Sequence, residues 1–235
     1  DARDQVINLT PDQARYIADR HFGIGCDQIL IIAPSHEADI TMHILNSDGS
    51  EAAACGNGSR CVADLVMAQQ QTTSLSMETR GGIIQAERVG NNIAIDMGPA
   101  YLDWADIPLA EARDTANLDL GIKGMPAAIA VNMGNPHAVH IVEDADAIDL
   151  AHIGPQLEHH PIFPDRANIE FISIIAPDEV RMRVWERGSG ITIACGTGAC
   201  ASAVAAARAG ITGRQVKVHL DGGMLDIHWR DDGGV

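Results

Sequence analysis

Ala54-Cys55-Gly56-Asn57-Gly58 returns later in the chain as Ala194-Cys195-Gly196-Thr197-Gly198. The two cysteines stand 140 positions apart, one in each half of the 235-residue sequence. Each copy follows a Gly/Ser turn and runs into a helix-like stretch that holds a further cysteine, Cys61 or Cys200. Such a self-match marks a duplicated half-domain with one Cys-Gly-x-Gly loop per copy. The loop has a physical logic. Glycine lets the backbone turn sharply and come close to a ligand. A helix that starts just after a cysteine leaves backbone N–H groups unpaired, pointing at whatever sits there. Those groups favour an anion and are expected to lower the pKa of a nearby thiol.

Outward from the two loops, the pattern is strand-rich. Residues 28–33 and 39–46 read as strands before the first loop, and 169–175 and 180–186 before the second. Val180, Met182 and Val184 alternate with Arg181, Arg183 and Trp185, the period of a half-buried strand. After the loops come strands at 74–79, 83–89 and 93–97 in the first half, and at 215–220 and 224–229 in the second. Strands at 127–132 and 138–142 and a helix over 144–159 precede the second copy. Thr10-Pro11-Asp12-Gln13 is a helix start with a capping box, and Gly23 is the expected stop. Residues 98–126 have poor periodicity and read as a crossover with short helical pieces. Many strands and few long helices imply an α+β chain with mostly antiparallel sheets. The expected architecture is two pseudo-symmetric lobes, residues 1–102 and 103–235, each a sheet around a central helix, with the active site in the cleft between them.

Composition narrows the function. Sixteen Lys+Arg against 32 Asp+Glu give a formal net charge of −16, which repels phosphate backbones and argues against nucleic acid. Hydrophobic residues at 46% support a sizeable core, and no apolar run approaches the length of a membrane span. Five cysteines, Cys26, Cys55, Cys61, Cys195 and Cys200, are an odd number and suit a reducing cytoplasm better than a disulfide scaffold. No pair is spaced as CxxC, so no metal site is expected. Lys123 and Lys217 are the only lysines, and no Schiff-base site for pyridoxal phosphate is apparent.

Two opposed thiols in different protonation states suit inversion at a carbon that bears hydrogen. One thiolate removes the α-proton and the other thiol delivers a proton to the opposite face. The N–H groups at both helix starts would stabilise the charge that develops on the adjoining carboxylate.

The sequence resembles the diaminopimelate epimerase family over nearly its whole length. Phe22-Gly23-Ile24-Gly25-Cys26-Asp27-Gln28 is similar to the family's early glycine motif. Asn46-Ser47-Asp48-Gly49-Ser50-Glu51, followed by the first Cys loop, resembles its first catalytic segment. Gly134-Asn135-Pro136-His137 resembles its central motif, and Asn168 lies where the family has a substrate asparagine. Glu186-Arg187-Gly188, followed by the second Cys loop, resembles its second catalytic segment. The resemblance implies cofactor-independent interconversion of LL- and meso-diaminopimelate, a diamino dicarboxylic acid, in lysine biosynthesis, by a cytoplasmic homodimer.

The same resemblance implies Cys55 and Cys195 as the two bases. It implies Gly56, Asn57, Gly196 and Thr197 around the reacting carboxylate, and Asn46, Asn168 and Arg187 around the distal one. Glu186 would bind the distal ammonium and, with His137, assist near the thiols; Gln28 and Asn135 would complete the pocket. The family's opening strand and Gly-Leu-Gly-Asn-Asp-Phe-type motif have no counterpart before Asp1, and the family continues past Val235. Truncation at both ends is therefore expected, with activity a property of the complete protein.

Three other readings compete. A proline- or hydroxyproline-type two-thiol racemase would have less use for Asn46, Asn168, Glu186 and Arg187. A Cys/His hydrolase built on Cys195 and His137 would need only one of the thiols. A non-catalytic binding lobe would bind diaminopimelate without exchanging its α-hydrogen.

Overall fold

The alternating and continuous apolar runs become two sheets, each packed on its own helix. The computed structural model describes residues 1–52 and 55–235; Ala54, the first residue of the repeated motif, lies outside the described residues. The chain divides into two units, Asp1–Asp96 and Met97–Val235.

The first unit opens with helix α1 (Pro11–Ala18), whose capping box forms as the sequence predicts. The helix stops at Ala18, short of the expected Gly23. Asp19 turns its carboxylate onto the N–H groups of His21 and Phe22, both at 2.7 Å, a local side-chain bond that competes with continued helix. Strands β1 (Gln28–Ala33), β2 (Ile40–Asn46) and β3 (Glu51–Ala52) lead to helix α2 (Gly56–Gln70). Strands β4 (Ser74–Thr79), β5 (Gly82–Val89) and β6 (Asn92–Ile95) follow. The sheet order is β1-β2-β4-β5-β6, with β3 beside β2. All its pairs are antiparallel except β2 with β4, which are joined through β3 and α2. Val62, Ala63, Val66 and Met67 of α2 pack against Ile40, Met42, Leu75 and Met77 from the sheet.

The second unit holds β7 (Ala128–Asn132), β8 (Pro136–Ile141), α3 (Leu150–Glu158), β9 (Asn168–Ala176), β10 (Glu179–Glu186) and β11 (Gly190–Ile191). Helix α4 (Gly196–Arg208) and strands β12 (Gln215–Leu220) and β13 (Gly223–His228) complete it. The order is β13-β12-β10-β9-β8-β7, with β11 beside β10. Here β10–β12 and β8–β9 are the parallel pairs. Helix α4 is alanine-rich and buried almost all round, the signature of a helix enclosed by its sheet. A second apolar cluster covers the other side of β9, with Phe171 and Ile169 against Leu150 and Leu157 of α3. That double cover explains why β9 is buried without alternation from Asn168 to Ser173.

The duplication is visible in the topology. The succession β1–β2–β3–α2–β4–β5 is repeated as β9–β10–β11–α4–β12–β13, with the same antiparallel hairpin and the same parallel return across a helix. The architecture is α+β and mostly antiparallel, as expected. Three details differ from the sequence reading. Residues 98–126 contain no α-helix; Ile107, Leu109, Leu118 and Leu120 of this stretch are buried in the α3 cluster, and isolated bridges tie Tyr101 to Asn132 and Leu118 to Ala128. Residues 97–102, assigned from sequence to the first lobe, join the second unit. Met97 donates to the Val235 carbonyl at 2.9 Å, Ala100 to that of Gly233 at 3.1 Å, and Met97, Ala100 and Leu102 pack on the α4 core. The expected helix over 144–159 shortens to α3, because the Asp149 side chain caps it by accepting from His152 N–H at 3.2 Å. No helix among the described residues is long and apolar enough to cross a membrane.

Candidate active site

Each motif cysteine sits where a strand hands the chain to a helix. Cys55 (φ −151°, ψ 95°) and Cys195 (φ −133°, ψ 111°) are extended residues that cap α2 and α4. Sulfur stands where a capping oxygen usually does. Cys55 Sγ accepts from Gly58 N–H at 3.3 Å, and Cys195 Sγ from Gly198 N–H at 3.4 Å. Glycine is needed at both positions for space. A methyl group on Gly58 would lie 2.7 Å from Leu30 Cδ1 and 3.1 Å from Cys55 Sγ. One on Gly198 would lie 2.8 Å from Glu170 Oε1 and 3.2 Å from Cys195 Sγ. Leu30 and Glu170 are themselves 140 positions apart, so the two caps share one frame.

In the first unit, β1 and β2 set Gln28 opposite Asn46. Gln28 Nε2 donates to Asn46 Oδ1 at 3.0 Å, and Asn46 Nδ2 donates to Ser50 Oγ at 3.0 Å. Asn57 Oδ1 accepts from Arg60 Nη2 at 2.7 Å. Gly56 and Asn57 lie half-buried in the first turn of α2, beside Cys55.

In the second unit, the 140-residue offset carries Gln28 to Asn168 and Asn46 to Glu186. Asn168 is buried and joins two segments: its Nδ2 donates to the Pro136 carbonyl at 3.1 Å and its Oδ1 accepts from Arg187 N–H at 2.9 Å. The Arg187 guanidinium donates to the Asp165 carbonyl at 3.0 Å. Thr192 Oγ1 donates to Glu186 Oε1. Asn135 Oδ1 lies 2.8 Å from His137 Nε2, and His137 Nδ1 lies 2.7 Å from Glu170 Oε1. His137 and Glu170 are both fully buried. Thr197 Oγ1 lies 3.6 Å from Cys195 Sγ, and Gly196 opens α4.

The electrostatics at Cys195 reverse the sequence expectation. The helix-start N–H was expected to depress the thiol pKa. Instead, burial pushes the Cys195 thiol well above its ordinary range, and the nearby carboxylates Glu186 and Glu170 push it further. The bonds to Thr197 and Gly198 oppose this and do not win. Burial also raises the Glu170 carboxyl, against the pull of His137.

Two residues that shape this site were missed from sequence. Glu170 is one; its signal was a lone charge in the largely apolar run from Ile169 to Ile175. Glu158 of α3 is the other. It is buried, accepts from Trp185 Nε1 at 2.7 Å and from Gly188 N–H at 3.0 Å, and so anchors the turn that carries Glu186 and Arg187. No group of three or more His, Cys, Asp or Glu side chains among the described residues is arranged to hold a metal ion.

The sequence profile of the diaminopimelate epimerase family matches residues 1–102 and 129–235. A diaminopimelate epimerase of Rhodospirillum centenum is 53% identical over 238 residues, spanning 100% of this chain and 82% of that protein. One of Acidiphilium cryptum is 48% identical, spanning 100% and 85%. Among solved structures, a Bacillus anthracis phenazine biosynthesis protein of the PhzF family is similar with a TM-score of 0.64 at 17% identity, covering 93% of this chain and 80% of its own. An Agrobacterium vitis hydroxyproline epimerase is similar with a TM-score of 0.61 at 16% identity, covering 92% and 71%. At these identities the structural likeness concerns the fold.

Proposed function

The chain belongs to the diaminopimelate epimerase family, and from that premise we propose that it interconverts LL- and meso-2,6-diaminopimelate, a step of lysine biosynthesis. The reaction proposed is a two-base inversion at Cys55 and Cys195 that draws on no cofactor. The thiolate of one cysteine takes the α-hydrogen as a proton. The electron pair left behind spreads into the adjoining carboxylate. The thiol of the other cysteine returns a proton to the opposite face. Each turnover leaves the two sulfurs with exchanged protonation states, so atoms and charge balance.

The observation that carries this reading is the pair of cysteine caps. Two sulfurs in equivalent places of a duplicated fold each receive a first-turn N–H and each adjoin a Gly-x-Gly turn. Backbone donors of that kind suit a developing carboxylate charge. Gly56-Asn57 and Gly196-Thr197 are the proposed cradle for the reacting carboxylate. Asn46, Asn168 and Arg187 are proposed for the distal carboxylate. Asn168 has one amide hydrogen and one lone pair beyond its two backbone bonds, and Arg187 is a two-pronged donor. Glu186 is proposed for the distal ammonium, and Gln28 and Asn135 complete the pocket. His137, buried with both ring nitrogens engaged, is proposed to assist through its neighbours. A homodimer in the reducing cytoplasm is the proposed setting, since both thiols must stay unoxidised.

The test is incubation of the reduced protein with LL-diaminopimelate in heavy water, with no added cofactor. α-Deuterium in a meso product is the expected result. Turnover of proline or hydroxyproline in its place would move the assignment to that class of racemase. Binding without α-exchange would remove the catalytic reading.

A further inference from the structure

Resting on that reading, we propose that Glu170 is a positioning residue that makes the second thiol site chemically unlike the first, through His137 and from the place that Leu30 fills in the first half. Geometry carries the proposal. Glu170 Oε1 and Cys195 Sγ lie 2.8 Å and 3.2 Å from one point above Gly198, so they are within 6.0 Å of each other. At the equivalent point above Gly58, the two methyl groups of Leu30 stand beside Cys55 Sγ, at 2.7, 3.2 and 3.1 Å from that point. A carboxyl therefore stands where the repeat has a hydrocarbon. It is fully buried, and its second oxygen, Oε2, has no hydrogen-bond partner among the described residues. Burying a carboxyl with half its acceptors unused is costly. The equivalent place in the first unit holds a leucine, so the duplicated backbone frame does not itself call for a carboxyl. What distinguishes the second unit is the buried His137 that Glu170 meets.

The contacts of His137 define what the carboxyl does. With Asn135 Oδ1 at 2.8 Å, His137 Nε2 must carry a hydrogen to make that bond. One further hydrogen lies between Nδ1 and Glu170 Oε1, 2.7 Å apart. It can sit on either atom. On nitrogen, Glu170 is a carboxylate beside Cys195 and favours the thiol there. On oxygen, Glu170 is neutral and a thiolate at Cys195 is tolerated. Proton movement within one buried hydrogen bond thus follows the charge on Cys195, which changes at every turnover. The charged and titratable groups acting on Cys195 are Glu186 from β10 and Glu170 from β9, with Thr197 and the Gly198 N–H from α4; those acting on Glu170 are His137 from β8 and Glu186. Burial, Glu186 and Glu170 all push the Cys195 thiol in the same direction.

The experiment compares wild type with Glu170→Gln and Glu170→Leu, each labelled with ¹³C at cysteine Cβ. Cysteine shifts are followed against pH without substrate, Cys55 and Cys195 being assigned by loss of their signals in Cys55→Ala and Cys195→Ala. Glu170→Gln keeps the shape and removes the charge. The expected result is a Cys195 midpoint lowered by about half a pH unit or more, and a Cys55 midpoint unmoved. In parallel, kcat on LL-diaminopimelate falls about tenfold or more, less than the roughly 10²–10⁴-fold of a direct acid–base group, as suits a residue that acts through another, with KM within about twofold. Glu170→Leu shifts the Cys195 midpoint in the same direction. An unmoved Cys195 midpoint, equal shifts at both thiols, or a shift with unchanged kcat would overturn the proposal. Failure of both variants to fold would make Glu170 structural and overturn it as well. Wild-type protein that does not turn over diaminopimelate would instead count against the functional reading. In that case the substrate-free titration still decides whether Glu170 distinguishes the two thiols.

Discussion

Around Cys55 the glycine of the first helical turn faces Leu30; around Cys195 the same glycine faces Glu170. The backbone frame is shared down to the sulfur-to-amide distances of 3.3 and 3.4 Å. The lining is not: Gln28, Leu30 and Asn46 on one side become Asn168, Glu170 and Glu186 on the other. Cys55 is half-buried, whereas Cys195 is buried beside two carboxylates. Duplication supplies two donors aimed alike, and the substitutions supply the difference between them. The inversion proposed uses two bases, and a difference between them biases which one holds the proton at rest. At any instant one base must hold a proton and the other must not, so a perfectly symmetric pair would have no preference to start from.

The most severe way to break the comparison is to remove each sulfur in turn. Cys55→Ala and Cys195→Ala are both expected to lower the rate of inversion by roughly 10²–10⁴-fold. Chiral chromatography of the product measures this. Near-full activity with either sulfur absent would mean that the two halves are not partners in the chemistry.

The two glycines sharpen the comparison at the level of packing. Gly58→Ala meets the hydrocarbon end of Leu30, a partly buried side chain at the margin of the α2 core. Gly198→Ala meets Glu170 Oε1, which His137 holds at 2.7 Å. Overpacking a held group costs about 1–3 kcal/mol, while glycine to alanine inside a helix recovers roughly 1 kcal/mol. Gly58→Ala is therefore expected to be near neutral in urea unfolding, and Gly198→Ala to destabilise by about 1–2 kcal/mol. Equal losses would show that Glu170 is not fixed in place.

The protonation difference is also a stability difference. A cysteine in the unfolded chain titrates near ~8.5, and Cys195 in the folded protein is held well above that, first by burial, then by Glu186 and Glu170. Above ~8.5 the unfolded chain has released a proton that the folded one keeps, so stability falls as pH rises. The contribution is fully present below the ordinary thiol range and is lost toward the raised folded value. Wild type is expected to lose up to about 1.4 kcal/mol per pH unit more than Cys195→Ala over this window. Parallel urea midpoints from pH 8 to 10 would contradict the burial of a protonated thiol.

Much of this was legible in the sequence, for reasons that explain what was not. The repeated Cys-Gly-x-Gly is a local pattern, and a cap is a local structure, so the helix starts after Cys55 and Cys195 follow directly. Val180, Met182 and Val184 alternate because one face of β10 is buried. Residues 98–126 defeated periodicity because Ile107, Leu109, Leu118 and Leu120 are buried from an irregular backbone, with no repeat to read. The pKa of Cys195 was misjudged because a helix N-terminus is visible in sequence, whereas the burial and the two carboxylates that outweigh it are tertiary. Glu170 could have been found by pursuing the 140-residue offset past the motif, to Leu30.

The finest difference between the halves lies at the variable position of Cys-Gly-x-Gly, Asn57 in one loop and Thr197 in the other. Thr197 Oγ1 stands 3.6 Å from Cys195 Sγ and lowers the thiol pKa, against the larger upward push of burial. Thr197→Val keeps the shape and removes the hydroxyl, so the Cys195 midpoint should rise by a few tenths of a pH unit, the size expected for one long hydrogen bond to sulfur. Thr197→Asn instead gives the second loop the sequence of the first. Its amide N–H can donate where the hydroxyl did, so its shift should be smaller than that of valine. The same ¹³Cβ titration reads both variants. A fall in the midpoint with Thr197→Val would mean that the hydroxyl accepts from the thiol rather than donating to sulfur. The variable position would then stabilise the protonated form, adding to the asymmetry set by Glu170 instead of tempering it.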